Sequence, residues 1–194
     1  AKVVYPNGDE FVGEFNESGE KVGKGVYTWS VGEVKYEGDY ARGLKNGIGK
    51  IAFPNGDRYH GMWEDGAIHG EGTYFYRNGD IYSGNWEHGK RAGKGAFVFG
   101  KDRSQLIGTW VNGQMSDGKW VFADGTSYHG SFKNNKPIGK GVFYFPNGNQ
   151  QEGEYVEVSG AASPRHCHWP WAPHCCLLWC YVMLCCCHQS DWRP

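Results

Sequence analysis

From residue 10 onward the chain alternates apolar or aromatic residues with polar ones at a period of two, in short runs punctuated by glycine. In one such run Tyr59, Gly61 and Trp63 fall on one side of an extended strand and His60 and Met62 on the other, because successive strand residues point to opposite faces. On the next run Gly70, Gly72, Tyr74 and Tyr76 share a side. The same parity groups Gly47, Gly49, Ile51 and Phe53, then Gly93, Gly95, Phe97 and Phe99, then Gly139, Gly141, Phe143 and Phe145. No stretch of 1–160 shows the helical period of an amphipathic helix. Within each pair of runs sit turns such as Asp65-Gly66, His88-Gly89 and Asn112-Gly113. Between pairs come Asn55-Gly56-Asp57, Asn78-Gly79-Asp80, Asp124-Gly125-Thr126 and Asn147-Gly148-Asn149. These residues tolerate positive φ and mark hairpins, and connections this short exclude parallel crossovers. The expected fold is all-β: an elongated, single-layer antiparallel meander of tandem hairpins. About thirteen strands at ~4.8 Å spacing make a ribbon roughly 60 Å long.

The hairpins are internal repeats. An aromatic-x-Gly-x-aromatic signature recurs around Gly13, Gly38, Gly61, Gly84, Gly108, Gly130 and Gly153, at spacings of 25, 23, 23, 24, 22 and 23 residues. A Gly-x-Gly follows in five of the units, as in Gly23-Lys24-Gly25, Gly47-Ile48-Gly49 and Gly93-Lys94-Gly95. Residues 1–160 thus hold six units and the start of a seventh. The fifth is degenerate: Leu106 stands where other units have a ring, Ser116-Asp117-Gly118 replaces Gly-x-Gly, and one residue is missing before it. The ribbon is expected to bend or specialise there.

One face therefore interleaves rings with glycines, and a ring lying across a bare glycine backbone pins the register. Its first-strand rings are Tyr36, Tyr40, Tyr59, Trp63, Tyr82, Trp86, Trp110, Tyr128 and Phe132. The second strands add Tyr74, Tyr76, Phe97, Phe99, Trp120, Phe143 and Phe145. A sheet with such a face normally buries it under a helix or second sheet, and the repeat region offers neither. The sheet is expected to curl so that its rings pack on one another and leave an open aromatic groove for a partner. The opposite face, with Lys50, Glu71, Thr73, Lys94, Lys119, Ser131 and Lys140, is read as solvated. Two open sheet edges offer a route to self-association.

Composition sharpens this picture. Glycine appears 31 times and aromatic residues make up 16% of the chain, against a usual glycine share of about 7%. The net charge of -1 supplies no clustered cations for a phosphate backbone, so nucleic acid is excluded as the main partner. The opening Ala1-Lys2-Val3-Val4 has no signal-peptide character. All seven cysteines fall between Cys167 and Cys187, unlike a disulfide scaffold, and the repeat region is read as cytosolic. Residues 161–194 form a separate tail with no glycine or lysine, four Trp and four His. The apolar run Cys175 to Cys187 is 13 residues, too short for a membrane-spanning helix. Three readings of the tail stay open: an alternative or misread terminal exon, palmitoylated cysteines, or a Zn site from His166, Cys167, His168, His174 and Cys175. The first is favoured, since clustered free thiols are a liability in a soluble protein.

Candidate chemistry is sparse. His60 and His129 share one slot on the polar face, with His69 and His88 elsewhere, and spacing makes no cluster of them. Asp9, Asp57 and Asp80 follow Asn-Gly as turn residues, which argues against a paired-carboxylate site. The Gly-Lys-Gly stretches lack the strand-loop-helix context of a phosphate loop. Lys24, Lys50, Lys94, Lys119 and Lys140 recur as a stripe diluted by acidic neighbours, a weak basis for lipid headgroup binding. No catalytic residue, cofactor or metal ligand is assigned.

Tyr59-His60-Gly61-Met62-Trp63-Glu64-Asp65-Gly66 followed by Gly70-Glu71-Gly72-Thr73-Tyr74 resembles the membrane occupation and recognition nexus (MORN) repeat, over about residues 3–156. The later units, through Leu106-Ile107-Gly108-Thr109-Trp110-Val111-Asn112-Gly113-Gln114 and Gly130-Ser131-Phe132-Lys133-Asn134-Asn135-Lys136-Pro137, look most like the MORN proteins of the radial spoke head. That resemblance implies a non-enzymatic structural component of the ciliary or flagellar axoneme, held among other spoke-head subunits. The cysteine-rich tail departs from the acidic extension such proteins carry. The alternative it leaves is a membrane-associated tether using the lysine stripe or the tail cysteines.

Overall fold

The computed structural model describes residues 1–32 and 34–155; the tail and its three readings lie outside them. Fourteen strands follow one another in order. They are β1 (Lys2–Val4), β2 (Glu10–Phe15), β3 (Lys21–Thr28), β4 (Lys35–Ala41), β5 (Leu44–Ala52), β6 (Arg58–Glu64) and β7 (Ala67–Phe75). The remainder are β8 (Ile81–Glu87), β9 (Lys90–Val98), β10 (Gln105–Val111), β11 (Gln114–Val121), β12 (Ser127–Lys133), β13 (Lys136–Tyr144) and β14 (Gln150–Tyr155). Each pairs antiparallel with its sequence neighbours in one open sheet, so the all-β meander is the fold. The extra strand is β1, which pairs Val3 with Phe11. It is the second strand of an incomplete unit ahead of the first signature, and Tyr5-Pro6-Asn7-Gly8-Asp9 repeats the later inter-unit turns.

Register follows the glycines. Gly61 lies opposite Gly72, and Gly72 opposite Gly84 on the next strand. With no side chains at this pair, the Tyr59 ring lies across both backbones, and a Cβ on Gly72 would run into its hydroxyl end. The rings of Tyr36, Tyr82 and Tyr128 cover the equivalent pairs. Between Gly61 and Trp63 the register shifts, because three residues of β7 face the single Met62. Gly70 sits in this bulge at φ +62°, a left-handed conformation that disfavours a side chain.

Both rims are laced. On the hairpin-turn rim Gly66 N–H donates to Lys45 O at 2.9 Å, and Gly89 N–H to Ile68 O at 2.8 Å, so each turn hangs on the preceding unit. On the other rim the Asp57 carboxylate accepts Arg77 N–H and the Tyr74 hydroxyl, each at 2.8 Å. Asp80 accepts Gly100 N–H at 2.8 Å and Asp9 accepts Ser30 N–H at 2.8 Å. The recurring carboxylates are turn-to-turn ties. Hydrogen bonds from Ser30 N–H and then the Tyr27 hydroxyl hold Asp9 below the usual carboxylate range. At Asp57 burial pushes upward, and the Arg77, Tyr74 and Asn55 donors outweigh it.

Candidate functional site

The rings proposed as a groove divide into two layers. Tyr36, Tyr40, Tyr59, Trp63, Tyr82, Trp86, Trp110, Tyr128, Phe132 and Phe143 are buried. They interlock edge to face along the ribbon: Tyr36 with Trp63 at 5.2 Å, Tyr59 with Trp86 at 5.7 Å, Tyr82 with Trp110 at 5.2 Å. Each tryptophan also donates its indole N–H to a glycine carbonyl of the preceding unit, Trp63 to Gly49, Trp86 to Gly72 and Trp110 to Gly95, at 3.1–3.3 Å. This layer is the core. Tyr74, Tyr76, Phe97, Phe99, Trp120 and Phe145 are half-buried against it. They form the outer, partly exposed layer of the ring face.

Burial raises the proton affinity of the core phenols; Tyr82 is pushed up to about 12, with Arg91 opposing the shift. Tyr36 and Tyr59 move the same way for the same cause. Each also donates its hydroxyl to the carbonyl three residues on, Tyr36 to Asp39 at 3.0 Å and Tyr59 to Met62 at 2.9 Å.

Cations stand among the rings, a feature the sequence reading missed. Lys21, Lys45 and Arg91 occupy one repeat slot, two residues before the bulge glycine. Lys45 Nζ lies 4.4 Å from the Trp63 ring centre and 5.5 Å from that of Tyr36. Arg91 lies 4.6 Å from the Trp110 ring. Such placement is attractive through the ring quadrupole, and burial lowers the Lys45 pKa. The alternation that located the rings also puts this slot on their face.

The fifth unit is rebuilt. Leu106 is too short to cover Gly108 and Gly118, and the Met115 methyl lies against both instead. Met115 is 1% exposed. Ser116 Oγ donates to Thr109 O at 3.1 Å, the carbonyl that a tyrosine at 106 would serve. The missing residue permits this, since only Ser116 is extra where Trp110 pairs with Met115. Three side chains replace one tyrosine.

The second candidate surface is on the polar face. There the sheet is concave, and an open trough of about 1180 Å³ runs across β5 to β12. Its floor is the glycine backbone from Gly61 to Gly130, and its walls include His60, Met62, Glu71, Lys94, Lys119 and His129. His129 packs tilted against Tyr144, ring centres 4.6 Å apart, and burial followed by the Lys119 charge lowers its pKa. His60 also lines the trough, whereas His69 and His88 meet each other at 5.6 Å near the hairpin-turn rim. His69 Nε2 reaches Glu64 at 3.3 Å. Of the lysine stripe, Lys24 and Lys50 are in ion pairs with Asp39 and Glu37 at 3.5 and 3.1 Å. Among the described residues no group of three His, Cys, Asp or Glu is arranged to hold a metal ion.

No curated protein sequence matches the chain significantly. The chain overlaps the TCP domain of Drosophila melanogaster SAS-4 in complex with a proline-rich motif of Ana2, at 15% identity and a TM-score of 0.49, covering 78% of this chain and 81% of that one. A crystal structure of the TCP10c domain of Drosophila melanogaster Sas-4 gives 14% identity and 0.46, covering 78% and 89%. The TCP10 domain of Danio rerio CPAP with a STIL peptide gives 8% and 0.45, covering 79% and 83%. Values this low carry over nothing of what those domains bind. The model of the MORN repeat matches residues 11–34, 36–58, 59–81, 82–101, 107–127 and 128–150. These intervals follow the hairpin units, with 102–106 unmatched ahead of the rebuilt fifth unit. The chain belongs to the MORN-repeat family.

Proposed function

We propose that this chain is a non-enzymatic scaffold and protein-interaction module, and more finely a radial spoke head component of the ciliary or flagellar axoneme. The observation that carries the module reading is the laced, open sheet. Its first-strand rings are spent in holding the units together, while a half-buried aromatic layer and a trough face outward on opposite sides. A rigid ribbon with two different accessible faces suits a part that joins neighbours in a large assembly. The half-buried rings Tyr76, Phe99 and Phe145 are the aromatic contacts it offers. The spoke-head assignment rests on the resemblance of the later units. Purification of the tagged chain from ciliated cells, followed by mass spectrometry, tests it. Co-purification of spoke-head subunits is expected, and a haul without them would sink the axonemal assignment.

The tether reading draws on the lysine stripe, and Lys24 and Lys50 are already neutralised within the sheet. Among the described residues no helix is long and apolar enough to cross a membrane. Co-sedimentation with anionic vesicles, with and without residues 161–194, separates the two readings. Binding in neither form removes the tether.

A further inference from the structure

We infer that the trough is a docking site for an extended polypeptide segment of a partner protein, one carrying an apolar anchor and, about five to eight residues on, acidic residues. The inference rests on the interaction-module reading and gives it a place and a ligand chemistry.

Width selects the conformation. The walls are the residues just before and just after each floor glycine, such as His60 and Met62 around Gly61. Residues two apart on a strand are about 6.6 Å apart. An α-helix with its side chains is about 10–12 Å across and does not enter, whereas an extended chain does. The floor amides are already spent in the ladder, Gly61 against Gly72 and Gly72 against Gly84. Recognition must therefore come from the wall side chains and not from strand addition.

The walls are unevenly furnished. At one end Ile48 and Met62 are direct cross-strand partners. They are 59% and 47% exposed, a large apolar pair at the trough's end, with Ala96 and Ile107 further along its lining. The fold gains nothing from leaving both in water. Toward the other end stand Lys94 on β9 and Lys119 on β11. Lys94 Nζ donates to a neutral oxygen, Thr109 Oγ1 at 2.9 Å, and among the described residues neither Lys94 nor Lys119 is in an ion pair. Nearer β1 the polar face neutralises its own lysines. Glu71 lies between the apolar pair and the lysines, so it repels an acidic residue placed too early. Asp117, beside Lys119, tempers that end without cancelling both lysines. From the Ile48–Met62 pair to β9 is about 17 Å and to β11 about 26 Å at ~4.8 Å per strand, or roughly five to eight residues of extended chain. A flat bilayer does not reach the floor of a concave surface.

The test uses the full chain and a dye-labelled peptide of about twelve residues, long enough to run the trough. It carries Leu near one end and a Glu pair about seven residues on, in a Pro/Ser background that keeps it extended. Fluorescence anisotropy is expected to show about tenfold tighter binding than for the same peptide with a Lys pair. Lys94→Glu with Lys119→Glu should reverse that preference, and Met62→Ser should weaken the Leu peptide several-fold, all at an unchanged unfolding midpoint. Tyr76→Ser and Phe99→Ser on the opposite face should leave binding unchanged. No binding, equal binding of both peptides, or loss only in the ring-face variants overturns the inference. So does charge-reversal-sensitive binding to vesicles of phosphatidylserine and phosphatidylcholine without peptide binding. A spoke-head partner that binds the charge-reversed protein as it binds wild type would refute the trough while leaving the module reading intact.

Discussion

The third and fifth units solve one packing problem with different residues. In the third, Tyr59 covers Gly61 and Gly72 with its ring and serves the Met62 carbonyl with its hydroxyl. In the fifth, Leu106 is buried in the tyrosine's position, Met115 covers Gly108 and Gly118, and Ser116 serves the Thr109 carbonyl. What both keep is the bare glycine pair, a cover over it, and a donor to the bulge carbonyl. The tryptophan lock is common to both, since Trp63 and Trp110 each donate to a glycine of the preceding unit. The repeat is therefore a set of physical requirements that more than one residue combination meets. The outer face keeps its layout too, since Asp117 and Lys119 flank Gly118 in the trough as Glu71 and Thr73 flank Gly72.

The comparison breaks most completely where the two units agree. Trp86→Ala removes a packed ring and its indole donor and is expected to cost about 3–5 kcal/mol in denaturant unfolding; under about 1 kcal/mol would mean the rings are not a core. Met115→Ala should cost about 2–4 kcal/mol, because it uncovers a glycine pair. Ile68→Ala, in the equivalent but half-buried slot, should cost markedly less. Gly70→Ala forces a side chain into the left-handed region and should cost about 1–2 kcal/mol, with no counterpart in the fifth unit, where Ser116 forms the bulge. Ser116→Ala and Tyr59→Phe should each cost about 1 kcal/mol for the lost hydroxyl donor.

A pH titration sharpens the same contrast. Burial raises the core tyrosines, Tyr82 from 10.0 to about 12, so the folded state holds its phenolic protons more tightly than the unfolded chain. That contribution is fully present below pH 10 and is lost as pH rises toward about 12. Tyrosinate absorbance and unfolding should rise together in that window, and amide exchange should accelerate around Gly61 and Gly84 more than around Gly108, whose cover has no phenol. Equal acceleration would deny the replacement of tyrosine by Leu106, Met115 and Ser116.

Most of the ribbon was legible because strand parity and turn chemistry are local. Alternation grouped Tyr59 with Trp63 and Tyr74 with Tyr76, and Asn-Gly-Asp announced the turns. The strand β1 escaped because three residues carry no signature, although Tyr5-Pro6-Asn7-Gly8-Asp9 matches Phe53-Pro54-Asn55-Gly56-Asp57. Lys45 and Arg91 stand beside turns and carry no motif, although strand parity places them with the rings. The role of Met115 depends on a single-residue change in a bulge, which alternation alone misplaces. The division of the rings into core and outer layers, and the concavity of the polar face, arise from curvature summed over many strands. No local pattern encodes that sum.

The most direct test of the ring-over-glycine requirement is a double-mutant cycle at Leu106 and Met115, read by denaturant unfolding. Leu106→Tyr alone should destabilise, because the new ring and the Met115 methyl claim the same space over Gly108 and Gly118. Met115→Ala alone should destabilise by uncovering that pair. Together the tyrosine should take over the cover, and the double variant should be more stable than the sum of the single effects by about 1–3 kcal/mol. Strict additivity would contradict the account, since it would mean that the two side chains do not share one structural task.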